Sequence, residues 1–266
     1  MDTPCGMLFK ARDGASETSM SEFPEQAGPD ISVVIPMRNE AAAVGDLLAG
    51  IRATCAGTAF EVVVVDDGSD DGTAAAVMAE QDGRVRLLRH PVSAGQSAAV
   101  HSGVTAARGR IVCTLDGDGQ NPPEDLPLLF RPLMEDATGR LGLVAGQRVR
   151  RQDTLSKRLA SRAANGIRSA MLRDGTRDTG CGLKGFRRDA FLALPYFDHM
   201  HRYLPALFRR DGWEVALVDV GHRPRAAGRS NYSNVRRALQ GAVDLAGVAW
   251  LIQRRKKAEA EEVTGG

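Results

Sequence analysis

Thr114-Leu115-Asp116-Gly117-Asp118-Gly119-Gln120 closes an apolar run that begins at Ile111, and it sets two carboxylates one residue apart. On an extended chain, residues i and i+2 point to the same side, so Asp116 and Asp118 can share one hard divalent cation. Mg²⁺ typically takes one or two carboxylates together with substrate phosphates, which makes a metal-bridged nucleotide the natural ligand. In isolation, such a pair reads more readily as a solvated Asp-Gly turn. The rest of the chain reverses that reading.

A second acidic turn follows the run Glu61-Val-Val-Val-Val, where Asp66-Asp67-Gly68-Ser69-Asp70-Asp71-Gly72-Thr73 leads into a helix. A carboxylate there can accept hydrogen bonds from a base imide or ribose hydroxyls. The same pattern also fits a methyltransferase, a dinucleotide site or a plain helix cap. A GxGxxG loop is absent after the first predicted strand, where the chain reads Pro36-Met37-Arg38-Asn39-Glu40, and this argues against a nicotinamide cofactor.

These turns need a scaffold, and the chain predicts one. Short apolar runs at Ile31–Pro36, Glu61–Asp66, Val85–Arg89, Ile111–Asp116 and Leu141–Gly146 read as strands. Between them Glu40–Arg52, Thr73–Gln81, Gln96–Arg108 and Glu124–Met134 carry helical spacing, the last introduced by Pro122 and Pro123. Such alternation predicts an α/β fold with an open, mostly parallel sheet flanked by helices, its functional loops on one rim. After Gly146 we expect a basic helical stretch over Leu155–Leu172, a strand near Leu183–Arg187, a helix through His201–Arg210 and a strand Glu214–His222. Arg162, Arg168 and Arg173 read as a solvated helix face.

The 266 residues, 43% hydrophobic and 26% charged, suit one large domain with a sizeable core. The net charge of +2 hides positive charge concentrated in the second half, at Arg148, Arg150, Arg151 and residues 254–257, so an anionic partner is expected there. Nothing points to nucleic acid. Cysteines at 5, 55, 113 and 181 show neither a CxxC nor a paired spacing, which suits a reducing cytoplasm, with Cys113 and Cys181 as packing residues. Residues 1–29 read as a disordered leader without a signal-peptide core, and 30–232 as the folded domain.

Residues 233–266 read as an amphipathic helix and a basic tail. Val235, Leu239, Ala242, Val243, Ala246 and Trp250 recur at three- and four-residue steps between Arg236-Arg237 and Arg254-Arg255-Lys256-Lys257. The stretch is short of the roughly 20 apolar residues that span a bilayer. An interfacial helix on an anionic membrane surface is expected, with a core-packed helix burying Trp250, or an oligomer contact, as alternatives.

The motifs Ile35-Pro36-Met37-Arg38-Asn39-Glu40, Val65-Asp66-Asp67-Gly68-Ser69, Gly95-Gln96-Ser97-Ala98-Ala99 and Asp116-Gly117-Asp118-Gly119-Gln120, in that order, resemble the signature of family 2 glycosyltransferases of the GT-A fold. Arg148, the segment Asp178-Thr179-Gly180-Cys181-Gly182-Leu183-Lys184, and Arg225 to Tyr232 make the chain most similar to the dolichyl- and polyprenyl-phosphate branch. The resemblance implies that Pro36, Arg38, Glu40, Val65, Asp67, Asp116, Gly117 and Gln120 border a nucleotide-sugar. It implies Asp116, Asp118 and Gln120 as ligands of Mg²⁺ or Mn²⁺. Asp118, Arg148, Arg225 and Asp178 would be catalytic, and Arg225, Arg229 and Arg202 would meet the acceptor phosphate. Two positions depart from the usual pattern: Met37-Arg38 where many relatives have Tyr after the proline, and Ser230-Asn231 in place of Ser-Lys, with Arg229 as the replacement cation.

The implied activity is inverting, metal-dependent transfer of a sugar from a UDP- or GDP-sugar to a polyprenyl phosphate, at the cytoplasmic face of the membrane. A QxxRW segment, found in processive synthases of the same family, is missing. Asp178 would orient hydroxyls or simply cap a turn. His201 and His222 read as ordinary residues, since no metal-binding spacing accompanies them. A transferase acting on a saccharide or protein hydroxyl, a non-catalytic sugar-nucleotide binder and a nucleotidyltransferase are the competing readings. The short tail also suggests a separate membrane-protein partner.

Overall fold

In a computed structural model, the described residues are 28–149, 166, 168, 170–172, 174–223 and 234–254, with backbone only for 234–239. They contain a seven-stranded sheet in the order β3-β2-β1-β4-β6-β5-β7. The strands are β1 (Ile31–Met37), β2 (Phe60–Asp67), β3 (Val85–His90), β4 (Ile111–Thr114), β5 (Leu141–Arg148), β6 (Lys184–Arg187) and β7 (Glu214–Val220). β1, β2, β3 and β4 pair in parallel, as do β5 and β7, whereas β6 runs antiparallel to both β4 and β5.

Helices cover both faces, which is why β2 is buried along its whole length. On one face Ile31, Val33 and Ile35 of β1 pack with Leu47, Leu48 and Ile51 of α1 (Val44–Thr54), Val77 of α2 (Thr73–Ala79), and Leu126, Leu129 and Leu133 of α4 (Leu126–Glu135). On the other, Val34 and Val63 share a core with Ala99, Val100 and Val104 of α3 (Gln96–Ala106), Phe191 of α5 (Arg188–Leu192), and Leu207 and Phe208 of α6 (Leu204–Arg210). Val248 of α7 (Asn234–Gln253) completes this second core. The alternation of inward side chains along β1 is the period-two pattern that a strand buried on both faces requires.

The predicted elements recur with three corrections. The strand expected to reach Asp116 ends at Thr114, although the Leu115 N–H still donates to the Val34 carbonyl at 3.2 Å. The chain turns at Gly117 and Asp118, and Gly119 follows at a φ of +73°, so Asp116 and Asp118 are neighbours through a turn and not through a pleat. The helix expected from His201 divides into a 3-10 turn, Met200–Arg202, and α6. Arg168, expected on a solvated face, is buried against Asp174 and also donates to the Thr176 carbonyl at 3.3 Å; an arginine is tolerated there because its charge is paired. Of the helical stretch 155–172, residues 166, 168 and 170–172 are helical and the others lie outside the described residues, as do Arg162 and Arg173.

α7 packs on the core along one side, but it does not bury Trp250 as the core-packed alternative expected. Val248 is buried, and Leu245, Ala249, Leu251 and Ile252 pack on the second core. The opposite stripe is open, with Val243 65% and Trp250 59% exposed. Among the described residues, no helix is long and apolar enough to cross a membrane.

Candidate active site

Parallel pairing brings the carboxyl ends of β1, β2 and β4 to one rim, and antiparallel β6 begins where they end. A cavity of about 600 Å³ opens there, with walls running from Pro36, Arg38 and Glu40 past Asp67, Asp116, Gly117 and Asp118 to Arg148, Asp178 and Arg202. Residues as far apart in sequence as Pro36 and Asp118 thus share one space because the sheet order returns β4 beside β1.

At one end the two loops after β1 and β2 are latched together. The Asn39 N–H donates to Ser69 Oγ at 3.0 Å, the Glu40 N–H to Thr73 Oγ1 at 3.0 Å, and the Asp70 N–H to Asn39 Oδ1 at 3.0 Å. Asp67 organises the loop opposite. Its carboxylate accepts from the Ala94 and Gly95 N–H groups, at 2.8 and 2.9 Å, and from Ser93 Oγ at 2.7 Å, with His90 Nδ1 at 2.7 Å. Burial alone would raise its pKa, but these hydrogen bonds hold it below the usual carboxylate range.

The acidic pair sits at the centre. Asp116 Oδ1 accepts from Gln96 Nε2 at 2.8 Å, and Asp118 Oδ1 accepts the Gln120 N–H at 3.1 Å. Burial, and then the charge of Asp118, push the Asp116 pKa up to about 6, against the pull of Lys184 and Arg148. The carboxylate of Asp116 lies over Gly182, where an added Cβ would come within 2.2 Å of its oxygen. Two hard carboxylates with excess negative charge between them suit Mg²⁺ or Mn²⁺. Among the described residues no third His, Cys, Asp or Glu converges on them, so phosphate oxygens and water would complete the shell.

Cations form the far wall. Lys184, the first residue of β6, is buried, gives a hydrogen bond to the Cys181 carbonyl and reaches the cavity; burial lowers its pKa. Arg148, the last residue of β5, pairs with Asp178 through two hydrogen bonds, Nε to Oδ2 at 2.6 Å and Nη2 to Oδ1 at 2.9 Å. That hydrogen bond to Asp178, more than burial can offset, raises the Arg148 pKa. The Asp178 N–H is itself held by Gln147 Oε1 at 3.0 Å. Arg202 is exposed at the cavity mouth, while beside it the His201 ring stands 2.6 Å from Ser97 Oγ.

Of the residues singled out from sequence, Pro36, Arg38, Glu40, Asp67, Asp116, Gly117, Asp118, Arg148, Asp178 and Arg202 all line the cavity. Val65 does not: its side chain is fully buried in the second core, facing α3 near Gly103, because alternate β2 residues point into the sheet packing. Gln120 is also outside the lining, with its amide 3.5 Å from the Arg223 carbonyl, since the turn at Gly119 carries it past the acids. Arg225 and Arg229 fall outside the described residues, and His222 is exposed away from the lining. Sequence reasoning missed Gln96, Lys184 and His201 as site residues, although the first two stood within motifs it quoted.

The comparisons with known proteins agree with this geometry. An undecaprenyl-phosphate 4-deoxy-4-formamido-L-arabinose transferase from Pseudomonas aeruginosa is 37% identical over 214 residues, covering 77% of this chain and 61% of that protein. A dodecaprenyl-phosphate galacturonate synthase from Rhizobium johnstonii is 29% identical over 242 residues, covering 86% of this chain and 69% of that protein. The chain thus spans about three fifths of the length of the first of these relatives. Among solved structures, glucosyl-3-phosphoglycerate synthase from Mycobacterium tuberculosis, in complex with Mn²⁺, UDP-glucose and phosphoglyceric acid, superposes with a TM-score of 0.69 at 23% identity over 84% of this chain and 81% of that one. Mannosyl-3-phosphoglycerate synthase from Rubrobacter xylanophilus superposes at 0.66 and 18% identity, over 89% of this chain and 79% of that one. These likenesses establish the fold as GT-A-like. The family model for glycosyl transferase family 2 matches residues 32–194, more than half of the chain, and the chain belongs to that family.

Proposed function

We propose that this chain transfers a sugar from a nucleoside-diphosphate donor to a polyprenyl phosphate, inverting the anomeric centre. The observation that carries the reading is the juxtaposition, in one cavity, of an acidic pair with a wall of cations formed by Lys184, Arg148 and Arg202. The names of the two polyprenyl-phosphate relatives support the acceptor class.

The bond that breaks joins the anomeric carbon to the diphosphate, whose negative charge grows as it leaves. A divalent cation held by Asp116 and Asp118 would supply Lewis-acid stabilisation of that charge. Lys184 adds an amino group in a buried position, where electrostatic interactions are stronger than in water. Gln96, by holding Asp116, orients the acid loop.

A lipid monophosphate is already ionised near neutral pH, so its oxygen attacks without a strong general base. Asp178 is therefore a positioning residue: its pairing with Arg148 fixes that guanidinium at the cavity wall. Arg202 meets the acceptor phosphate at the mouth, with Arg225 and Arg229 assigned to the same anion. The exposed stripe of α7 rests on an anionic membrane surface, its Trp250 and Arg254 at headgroup level, and the enzyme is peripheral to the inner face of the cell membrane.

Incubation of the purified chain with Mn²⁺ or Mg²⁺, a panel of UDP- and GDP-sugars and a short polyprenyl phosphate tests this. The expected result is a lipid-phosphate sugar and released nucleoside diphosphate, both lost in Asp118→Ala. Transfer to a saccharide hydroxyl with no lipid product would overturn the acceptor assignment.

A further inference from the structure

His201 is the imidazole that the transfer chemistry above leaves unused, and its surroundings are specific. It lies on the 3-10 turn Met200–Arg202 and lines the cavity. Nδ1 is 2.6 Å from Ser97 Oγ, while the backbone N–H of His201 donates to the same oxygen at 3.5 Å. With that oxygen accepting from the backbone, its own proton is free to go to Nδ1, which leaves the ring proton on Nε2. Among the described residues, Nε2 has no hydrogen-bond partner. Burial first, and then the charges of Lys184 and Arg202, hold the His201 pKa well below its ordinary value, so the ring is neutral at physiological pH.

The chain path locates this nitrogen relative to the chemistry. Ser97 follows Gln96, whose amide holds Asp116, so the partner of the imidazole is the α3 residue next to the one that holds Asp116. Lys184 and Arg202 also line this cavity. A neutral single donor adds little for a phosphate among such cations, but it suits an uncharged hydroxyl. From this placement we infer that His201 is a specificity-determining residue, donating from Nε2 to a hydroxyl of the transferred sugar, with Ser97 fixing the tautomer and the ring.

The inference rests on the nucleotide-sugar reading of the cavity, and calorimetry separates the two. Binding of UDP and UDP-glucose, and of GDP and GDP-mannose, is measured for the wild type with Mn²⁺. For whichever pair binds, the sugar's increment over the bare diphosphate should fall about tenfold in His201→Ala, the worth of one hydrogen bond to a neutral group. Affinity for the bare diphosphate should be unchanged. His201→Gln, whose amide can present an N–H at a similar reach, should restore most of the increment, and Ser97→Ala should lose part of it. A fall shared equally by the bare diphosphate, or an increment untouched in His201→Ala, would overturn the assignment of His201 alone. If no diphosphate binds to the wild type, the donor site itself is refuted, and the inference with it.

Discussion

At Gly182 a single absent side chain makes room for the acid at the centre of the cavity. A Cβ there would overlap the Asp116 carboxylate, so Gly182→Ala should displace Asp116 by about an ångström and lower kcat/KM for sugar transfer about a hundredfold. A steady-state assay against the wild type checks this, and a change under about threefold would be inconsistent with the packing. At the opposite end of the sheet, Glu61 accepts from Ser32 Oγ at 2.7 Å, from Arg86 Nη1 at 2.9 Å and from the Arg108 N–H at 2.6 Å. Burial alone would raise its pKa, but these bonds bring it below the ordinary value. A carboxylate lowered in the folded state stabilises the protein above its unfolded pKa of about 4.3, and that contribution disappears as pH falls through the folded value. Glu61→Gln should therefore cost about 2 kcal/mol at neutral pH, with the gap to wild type closing in acid, as read by denaturant titrations at both pH values. The DGD and DDGS acids were legible because each ends an apolar run in a turn. Lys184 and His201 were not: their meaning comes from neighbours far away in the chain, and an isolated Lys or His carries no mark of burial.

At the scale of elements, the insertion of β6 between β4 and β5 does the most for the site. Its antiparallel direction puts Lys184, at its start, on the same rim as the carboxyl ends of β4 and β5. The sequence marks 183–187 as a strand but carries no sign of its direction, since an apolar alternation reads the same both ways. The alternation of the first half was legible for the opposite reason, because crossover helices between strands leave parallel pairing as the economical solution. β5 and the segment before β6 are joined by the Arg148–Asp178 pair, whose side chains are only 14% and 8% exposed. Arg148→Ala takes the guanidinium away from a buried carboxylate and should lower stability by about 3 kcal/mol. In the double variant Arg148→Ala/Asp178→Ala part of that loss should return, and a double-mutant cycle in denaturant measures the difference. Activity should return in neither, because the guanidinium is gone from the cavity wall.

For the whole molecule, α7 has two apolar sides with different fates, and composition could not divide them. The periodicity identified Val243, Ala246 and Trp250 as one stripe, while the packing of Leu245, Val248 and Ile252 on the second core decides which side remains open. Val243→Asp with Trp250→Ala should reduce co-flotation with anionic vesicles several-fold while leaving the melting temperature within about 2 °C, because exposed side chains contribute little to the fold. An unchanged flotation would argue that the stripe meets something other than lipid. The join between β4 and β6 has a temporal consequence. Thr114 Oγ1 donates to the Gly182 carbonyl at 2.6 Å across 68 positions of sequence, and the floor under Asp116 exists only once that distance is closed. Local helices and the β1–β2 pairing carry a smaller loop-closure cost and form first. On dilution from denaturant, helical circular dichroism should thus recover ahead of the affinity for nucleotide, making ligand capture a clock for the last step of assembly.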